Sequence, residues 1–205
     1  INLAEKTYPE LMPHLSTCKS PQGMMGALIK HYFAPKLGKS AADIVHVSIM
    51  PCVAKKDEIA RPQLTMKAVD SEGKEVTIPE TDYVLTTREL GHLLREEKVP
   101  FLSLQDEDFD KPLGITTGAA ALFGATGGVL EAALRTAAEM VTKKPLESVD
   151  FNAVRGFKSM REATIKLTDD LSLNVAVCHG TKKVREVVDS VLSHGEASKY
   201  HLIEV

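Results

Sequence analysis

Apolar positions along the chain fall into short periodic runs, separated by glycine, proline and acidic clusters. Leu3, Leu11 and Leu15 fit a short amphipathic helix that Pro9 and Pro13 interrupt. Ser20 is placed to cap a second helix with Pro21 at its first position, and that helix is expected to run to about Gly38. Met24, Met25, Leu28, Ile29, Tyr32 and Phe33 would give it a broad apolar face. Residues 43–50 (DIVHVSIM) predict a strand buried on at least one face, and residues 67–81 a hairpin turning at Ser71-Glu72-Gly73. Residues 83–85 predict a short strand. Thr86 or Thr87 then caps a helix carrying Leu90, Leu93 and Leu94.

The second half continues the alternation. Residues 105–110 form an acidic loop, and residues 114–128, rich in Gly, Ala and Thr, resemble tight backbone beside a ligand more than a regular element. A long helix is expected from Val129, with Leu130, Leu134, Ala137 and Val141 on one side and Glu131 paired to Arg135. Residues 151–161 and 163–167 predict a loop–helix–strand passage. Residues 173–177 predict a strand, 182–192 a helix that buries Val184, Val187, Val188 and Val191, and His201 opens a last strand. Alternating strands and helices define an α/β chain. Ile1 already lies inside a helical pattern and Val205 inside a strand-like run, which predicts an internal piece of a longer protein.

Composition narrows the function classes. The 205 residues, 43% hydrophobic and 26% charged, suit one large domain or two lobes. A net charge of −3 without a basic cluster argues against a nucleic-acid platform. No apolar run approaches the roughly 20 residues that cross a bilayer, and the N-terminus carries no signal-peptide pattern. The three cysteines, Cys18, Cys52 and Cys178, provide no disulfide framework and point to a reducing compartment. Three thiols also cannot build a four-thiolate cluster site by themselves.

Two phosphate-type motifs fail on inspection. Gly38-Lys39-Ser40 has Phe33 where a phosphate loop needs glycine, and a helix precedes it instead of a strand. Gly124 to Gly128 lacks the dinucleotide-binding spacing. Cys178 and His179 are neighbours on a strand, so their side chains point to opposite faces; Cys178 reads as a structural cysteine. Cys18 lies between Thr17 and Lys19, a weak signal of reactivity. Cys52 stands apart. It follows a buried strand and a proline, and Lys55 and Lys56 come within one turn, where positive charge favours a thiolate. A metal ligand, an activated thiol and a structural cysteine all remain open there.

The segment MPCVAKKDEIARPQ (residues 50–63) resembles the second signature of iron-only hydrogenases: Met-Pro-Cys, two residues, Lys, two residues, Glu. LSTCKSPQGMMGALIK (residues 15–30) resembles the helix after that family's first signature. TTREL (residues 86–90) and GAAALFGATGGVLEAALRTA (residues 118–137) match further segments in the right order. The resemblance implies a catalytic-domain fold of two lobes, with mixed sheets flanked by helices around a buried cluster. Residues 1–205 would be a partial large-subunit domain, truncated at both ends. The family's adjacent-cysteine signature is expected upstream of Ile1, and its Cys-Pro-Gly-Gly-Cys signature beyond Val205.

The implied cofactor is the H-cluster: a 4Fe-4S cubane joined to a two-iron unit carrying carbon monoxide, cyanide and a dithiolate. The implied reaction is reversible heterolytic cleavage and formation of H2, with protons and H2 as substrates and ferredoxin as electron partner. By the same resemblance Cys52 is a cubane ligand, and Lys55 and Ser20 donate to the two cyanides. Such donors orient a cluster and tune its potential. Gln22 would lie beside the carbonyl ligands, with Met50 and Phe123 as apolar walls and Gly124 giving backbone access. Ser16 would belong to a proton relay, with the Glu58 carboxylate on the same side. Without the resemblance, Ser16 reads as a helix-end hydroxyl, Lys55 as a solvated lysine, and Met50 and Phe123 as core.

With one cubane ligand, the isolated chain is expected to be inactive. The alternatives are a non-catalytic iron–sulfur assembly protein or a sensory hydrogenase. A generic α/β enzyme using Cys52 as nucleophile ranks below them, because no histidine partner is evident. A cytoplasmic location is expected, with exported relatives known in the family.

Overall fold

The computed structural model describes residues 1–115, 117–145, 152–153, 159–194 and 199–205, with backbone alone at 152, 153 and 194. The first half runs through α1 (Asn2–Thr7), a 3-10 stretch (Pro9–His14) and α2 (Pro21–Leu28), which continues as a π turn (Ile29–Phe33) and α3 (Ala34–Lys36). β1 (Val47–Met50), α4 (Ala54–Ile59), β2 (Thr65–Val69), β3 (Glu75–Pro79), β4 (Tyr83–Thr86) and α5 (Thr87–Glu96) follow. The second half holds α6 (Ala119–Phe123), α7 (Gly128–Thr142) and β5 (Asn152–Ala153). It ends with β6 (Met160–Lys166), β7 (Ser172–Cys178), α8 (Thr181–His194) and β8 (Leu202–Glu204). This is an α/β chain in two units, one of Ser16–Gly114 and one that joins Ile1–Leu15 to Ile115–Val205.

In the Ser16–Gly114 unit, β1 and β4 pair in parallel with Ser48 opposite Val84 and Met50 opposite Thr86. β2 and β3 form an antiparallel hairpin. Gly73 takes the left-handed conformation the turn requires (φ 79°), and the Asp70 carboxylate accepts the Glu72 and Lys74 amides. Ser20 caps α2 by accepting the Gly23 N–H, with Pro21 first in the helix.

The apolar face expected of this helix is not its buried face. Met24, Met25, Leu28 and Tyr32 are exposed, while Gln22, Gly23, Gly26, Lys30 and Ala34 are buried. The π turn slows the rotation of side chains around the axis, so 22, 26, 30 and 34 stay on one stripe. That stripe packs where only small or fully satisfied side chains fit. A Cβ at Gly26 would stand 2.6 Å from Thr81 Oγ1 and 3.0 Å from the Glu80 carbonyl oxygen.

Lys30 is only 1% exposed, and its ammonium is nevertheless saturated. It donates to the carbonyls of Ala41 (3.2 Å) and Ile44, and pairs with Asp82 at 2.9 Å. Asp82 Oδ2 also accepts the His46 N–H at 2.7 Å, tying the entry of β1 to the entry of β4. Nearby, the buried Glu80 takes Lys19 at 2.5 Å and His31 at 3.3 Å. β1 is buried on one face, as expected, and that face is the one carrying Ser48, while Val47 and Ile49 are exposed. The strand is also shorter than residues 43–50, since Ala41–Asp43 forms a 3-10 turn.

The other unit has a conventional apolar core. β5, β6, β7 and β8 form one sheet in that order, antiparallel except for the parallel β7–β8 pair. The two-residue alternation of β7 sends Val175 and Val177 toward α7, where they meet Leu130, Leu134 and Ala138. Ala176 and Cys178 pack on the opposite face with Val184, Val187 and Val188 of α8. Leu3, Tyr8 and Leu11 cover that second cluster. Burying a side chain the size of Leu134 contributes roughly 1.5–3 kcal/mol.

Two sequence expectations shift here. Residues 119–123 are helical rather than irregular. On α7 the buried line runs through Leu130, Leu134 and Ala138, with Val141 exposed. The Glu131–Arg135 pair forms at 2.6 Å. Of the passage expected over residues 151–161, positions 151 and 154–158 lie outside the described residues.

Lys30→Met removes the ammonium from Asp82 and from the two carbonyls, and is expected to destabilise the protein by about 3 kcal/mol in urea unfolding. Lys67→Met breaks an exposed pair with Glu75 (73% and 64% exposed side chains). Its expected cost is about 0–1 kcal/mol. Equal costs would refute the anchoring role of Lys30.

The Thr86 capping box supplies a pH signature. Glu89 accepts from Lys56 (2.6 Å), the Thr86 N–H (2.7 Å) and the Thr86 hydroxyl (3.0 Å). The Lys56 hydrogen bond first, then the Thr86 bonds, hold its carboxyl well below the usual carboxylate value, at about 2. A depressed carboxylate contributes stability above its unfolded value of 4.5 and loses it as pH falls toward 2. The stability gap between wild type and Glu89→Gln should therefore be full at pH 6 and close by pH 2; a gap independent of pH would reject this.

Candidate functional site

The C-terminal ends of the parallel strands β1 and β4 lie together, since Met50 is in register with Thr86. Ligands gather at such strand ends because the chain must leave the sheet there and open a helix. Past Met50 the backbone turns through Pro51 and Cys52 into α4, which carries Lys55 and Glu58. The Cys52 thiol is free and exposed. The two lysines expected to favour its thiolate are each engaged by a carboxylate, Lys55 with Glu58 at 2.5 Å and Lys56 with Glu89 at 2.6 Å.

Three of the expected residues come together. Glu58 Oε2 accepts from Lys55 Nζ, and Glu58 Oε1 accepts from the Ser20 hydroxyl. Ser20 Oγ accepts the Gly23 N–H at 3.2 Å while donating to Glu58. The N-cap of α2 and the middle of α4 therefore share one carboxylate. Side chains of Lys55 and Glu58 are about a quarter and a fifth exposed.

Gln22 lies one residue into α2 and is 4% exposed. Its Oε1 accepts from the Ser48 hydroxyl of β1 at 2.9 Å, whereas its Nε2 is buried with no hydrogen-bond partner. A buried amide donor without an acceptor costs roughly 1–3 kcal/mol. Ser48 was not singled out in the sequence. Its signal is a lone hydroxyl between Val47 and Ile49 on an alternating strand.

Ser16 makes no hydrogen bond to this cluster. It is exposed, and its hydroxyl oxygen accepts the Cys18 N–H at 3.2 Å. Met50 is half-buried, not core. Cys178, by contrast, is 1% exposed, and burial pushes its thiol above the ordinary value, as befits a structural cysteine. Among the described residues, no three His, Cys, Asp or Glu side chains converge as a metal site. Cys52 fits a cluster as a single thiolate donor within a larger ligand set.

Phe123 and Gly124 belong to the other unit. Phe123 ends α6 at 41% exposure, so the core reading is overturned. Gly124 follows it, and a Cβ there would meet only Ala121 O at 3.8 Å, so nothing among the described residues demands glycine. In this turn Gly128 is the glycine that packing requires: a Cβ would fall 1.7 Å from the Leu122 carbonyl oxygen. Just before it, Gly127 (φ 88°) is the N-cap of α7, and the Glu204 carboxylate accepts the N–H groups of Gly127 (3.0 Å) and Leu130 (2.6 Å). A carboxylate on orphan amides at a helix N-terminus is favoured by both hydrogen bonding and the helix dipole.

Comparison with known proteins bears on these features. The family model described as iron-only hydrogenase large subunit, C-terminal domain, matches residues 1–205. The periplasmic Fe hydrogenase large subunit of Nitratidesulfovibrio vulgaris is 45% identical over 201 residues, covering 98% of this chain and 45% of that protein. Cytosolic iron-sulfur assembly component 3 of Mus musculus is 33% identical over 209 residues, covering 98% and 41%. A solved FeFe-hydrogenase variant from Chlamydomonas reinhardtii superposes with a TM-score of 0.79 at 34% identity, covering all of this chain and 56% of that one. The chain thus spans less than half the length of these two curated relatives. A family model matched from end to end, with relatives well above 30% identity and a shared fold, establishes that this chain belongs to the iron-only hydrogenase large-subunit family.

Proposed function

We propose that the chain is part of a hydrogenase catalytic domain, and that it helps to hold an H-cluster at which H2 is reversibly and heterolytically cleaved. The observation that carries this reading is the buried, unanswered Nε2 of Gln22. It lies on the helix whose N-cap, Ser20, is linked through Glu58 to Lys55, and α4 opens just after Cys52. Such a donor set suits an anionic, acceptor-rich group bound next to a thiolate.

In this reading Cys52 supplies one thiolate to the 4Fe-4S cubane, and its remaining thiolates come from other parts of the protein. When bound, the cluster supplies the redox centre for heterolytic H2 chemistry, with carbon monoxide, cyanide and a dithiolate on its two-iron unit. Lys55 and Ser20 donate to the cyanides; the ammonium is a compact multi-donor cation suited to that task. Gln22 presents its amide to the carbonyl side. By the family resemblance Met50 and Phe123 would serve as apolar walls, and Gly124 would give backbone access. The Ser16 hydroxyl, exposed and with its proton free to donate, serves in a relay between solvent and the site, with the Glu58 carboxylate on the same side. Ferredoxin or another electron carrier supplies or removes electrons. Among the described residues no helix is long and apolar enough to cross a membrane.

A second reading is iron–sulfur assembly without hydrogen chemistry, favoured by the 33% identity to the mouse assembly component. The higher identity to a hydrogenase large subunit supports the catalytic reading over it.

In the full-length protein, Cys52→Ala is expected to abolish the electron paramagnetic resonance signal of the cubane after anaerobic reconstitution. Cys178→Ala should retain that signal at a stability cost of about 1 kcal/mol. A full-strength signal in Cys52→Ala would reject the ligand assignment. The isolated 205-residue chain, reconstituted in the same way, should show neither stable cluster absorbance nor hydrogen turnover.

A further inference from the structure

We propose that Glu58 is a positioning residue: its carboxylate sets the directions of Ser20 and Lys55 before the cluster arrives and keeps Lys55 directed afterwards. The inference rests on the H-cluster reading above. It goes beyond the relay role, which concerns only proton movement.

The geometry supplies the argument. One carboxylate is shared by two donors on separate helices, its Oε2 taken by Lys55 at 2.5 Å and its Oε1 by Ser20. Glu58 reaches Lys55 within a single turn of α4, at the i,i+3 spacing that puts two side chains on one helix face. The Ser20 oxygen is held by its cap on the Gly23 N–H, so what Glu58 directs is the hydroxyl proton. Glu58 Oε1 also lies near Gly23, where an added Cβ would stand 3.7 Å from it. The carboxylate therefore sits against the first turn of α2, and Lys55 is tethered to that turn through it. A free lysine on a short helix would sample many rotamers; here its head is already directed, so less ordering remains when a ligand binds.

Donor counts make the two residues unequal. The Lys55 ammonium has three N–H donors and spends one on Glu58, so it keeps two for a bound anion without leaving its partner. The Ser20 hydroxyl has one proton, and that proton goes to Glu58. Ser20 can donate to a ligand only by giving up its bond to the carboxylate. Lys55 is thus the standing donor, and Ser20 is a donor that exchanges partners.

The test is infrared spectroscopy of the cyanide stretching bands in the matured full-length protein, comparing wild type, Glu58→Gln and Glu58→Ala. Gln keeps the shape but loses the charge, and its amide can donate to Ser20 Oγ and so release the serine proton. Both variants are expected to displace the cyanide bands from their wild-type positions. Hydrogen turnover is measured alongside. Unmoved bands in a folded Glu58→Gln overturn the proposal, and lowered turnover with unmoved bands assigns Glu58 to proton transfer instead. Circular dichroism checks folding, and Glu58→Gln alone decides if Glu58→Ala does not fold. A wild-type protein without cyanide bands overturns the H-cluster reading and this inference with it; wild-type bands that the variants leave unmoved overturn this inference alone.

Discussion

A buried ammonium organises the unit that carries most of the candidate site. Lys30 is almost completely removed from water, and such a charge is tolerated only when partners take up its donors. Its partners are the carbonyls of Ala41 and Ile44 and the carboxylate of Asp82. The first two lie on the approach to β1, and Asp82 lies immediately before β4. One side chain therefore fixes the helix opened by Ser20 against the entrances of both parallel strands. The position of Gln22 over Ser48 follows from the same contact, because 22, 26 and 30 share one helix stripe.

This packing explains an unusual division of roles on α2. Its buried side is small or polar, and its exposed side holds Met24, Met25, Leu28 and Tyr32. Close approach to Glu80 and Thr81 requires glycine at 26, and the polar groups brought in are mostly matched. Gln22 Nε2 is the exception among the described residues. An unmatched donor in an otherwise satisfied polar interface is where an external acceptor would be accommodated at least cost.

The second unit uses different physics for the same end. A mixed sheet between α7 and α8 buries aliphatic side chains on both faces. The turn bearing Phe123 and Gly124 is then set by contacts at the start of α7. Gly128 lets that helix pass directly beneath the Leu122 carbonyl, and Glu204 gathers two of its free amides. Neither residue carries chemistry, yet both restrict where the Phe123 turn can lie.

Much of this was legible in the chain itself. The hairpin at Ser71-Glu72-Gly73, the Ser20 and Thr86 caps, the Glu131–Arg135 pair and the valine stripe of α8 are governed by neighbours within a few residues. Such local rules are written directly into residue order. The motif around Cys52 was equally readable, and the family match over residues 1–205 agrees with it. What tertiary structure alone decided is which face of each element turns inward. Periodicity marked Met24, Met25 and Leu28 for the core, but Lys30 and Gly26 are buried in their place. The cost of burying a charge or a polar group depends on partners far away in sequence, such as Asp82 and Ser48, which hydrophobic patterning does not register. The sharing of Glu58 between Ser20 and Lys55 has the same origin, since it joins residues 38 positions apart that meet only once α2 and α4 have been packed.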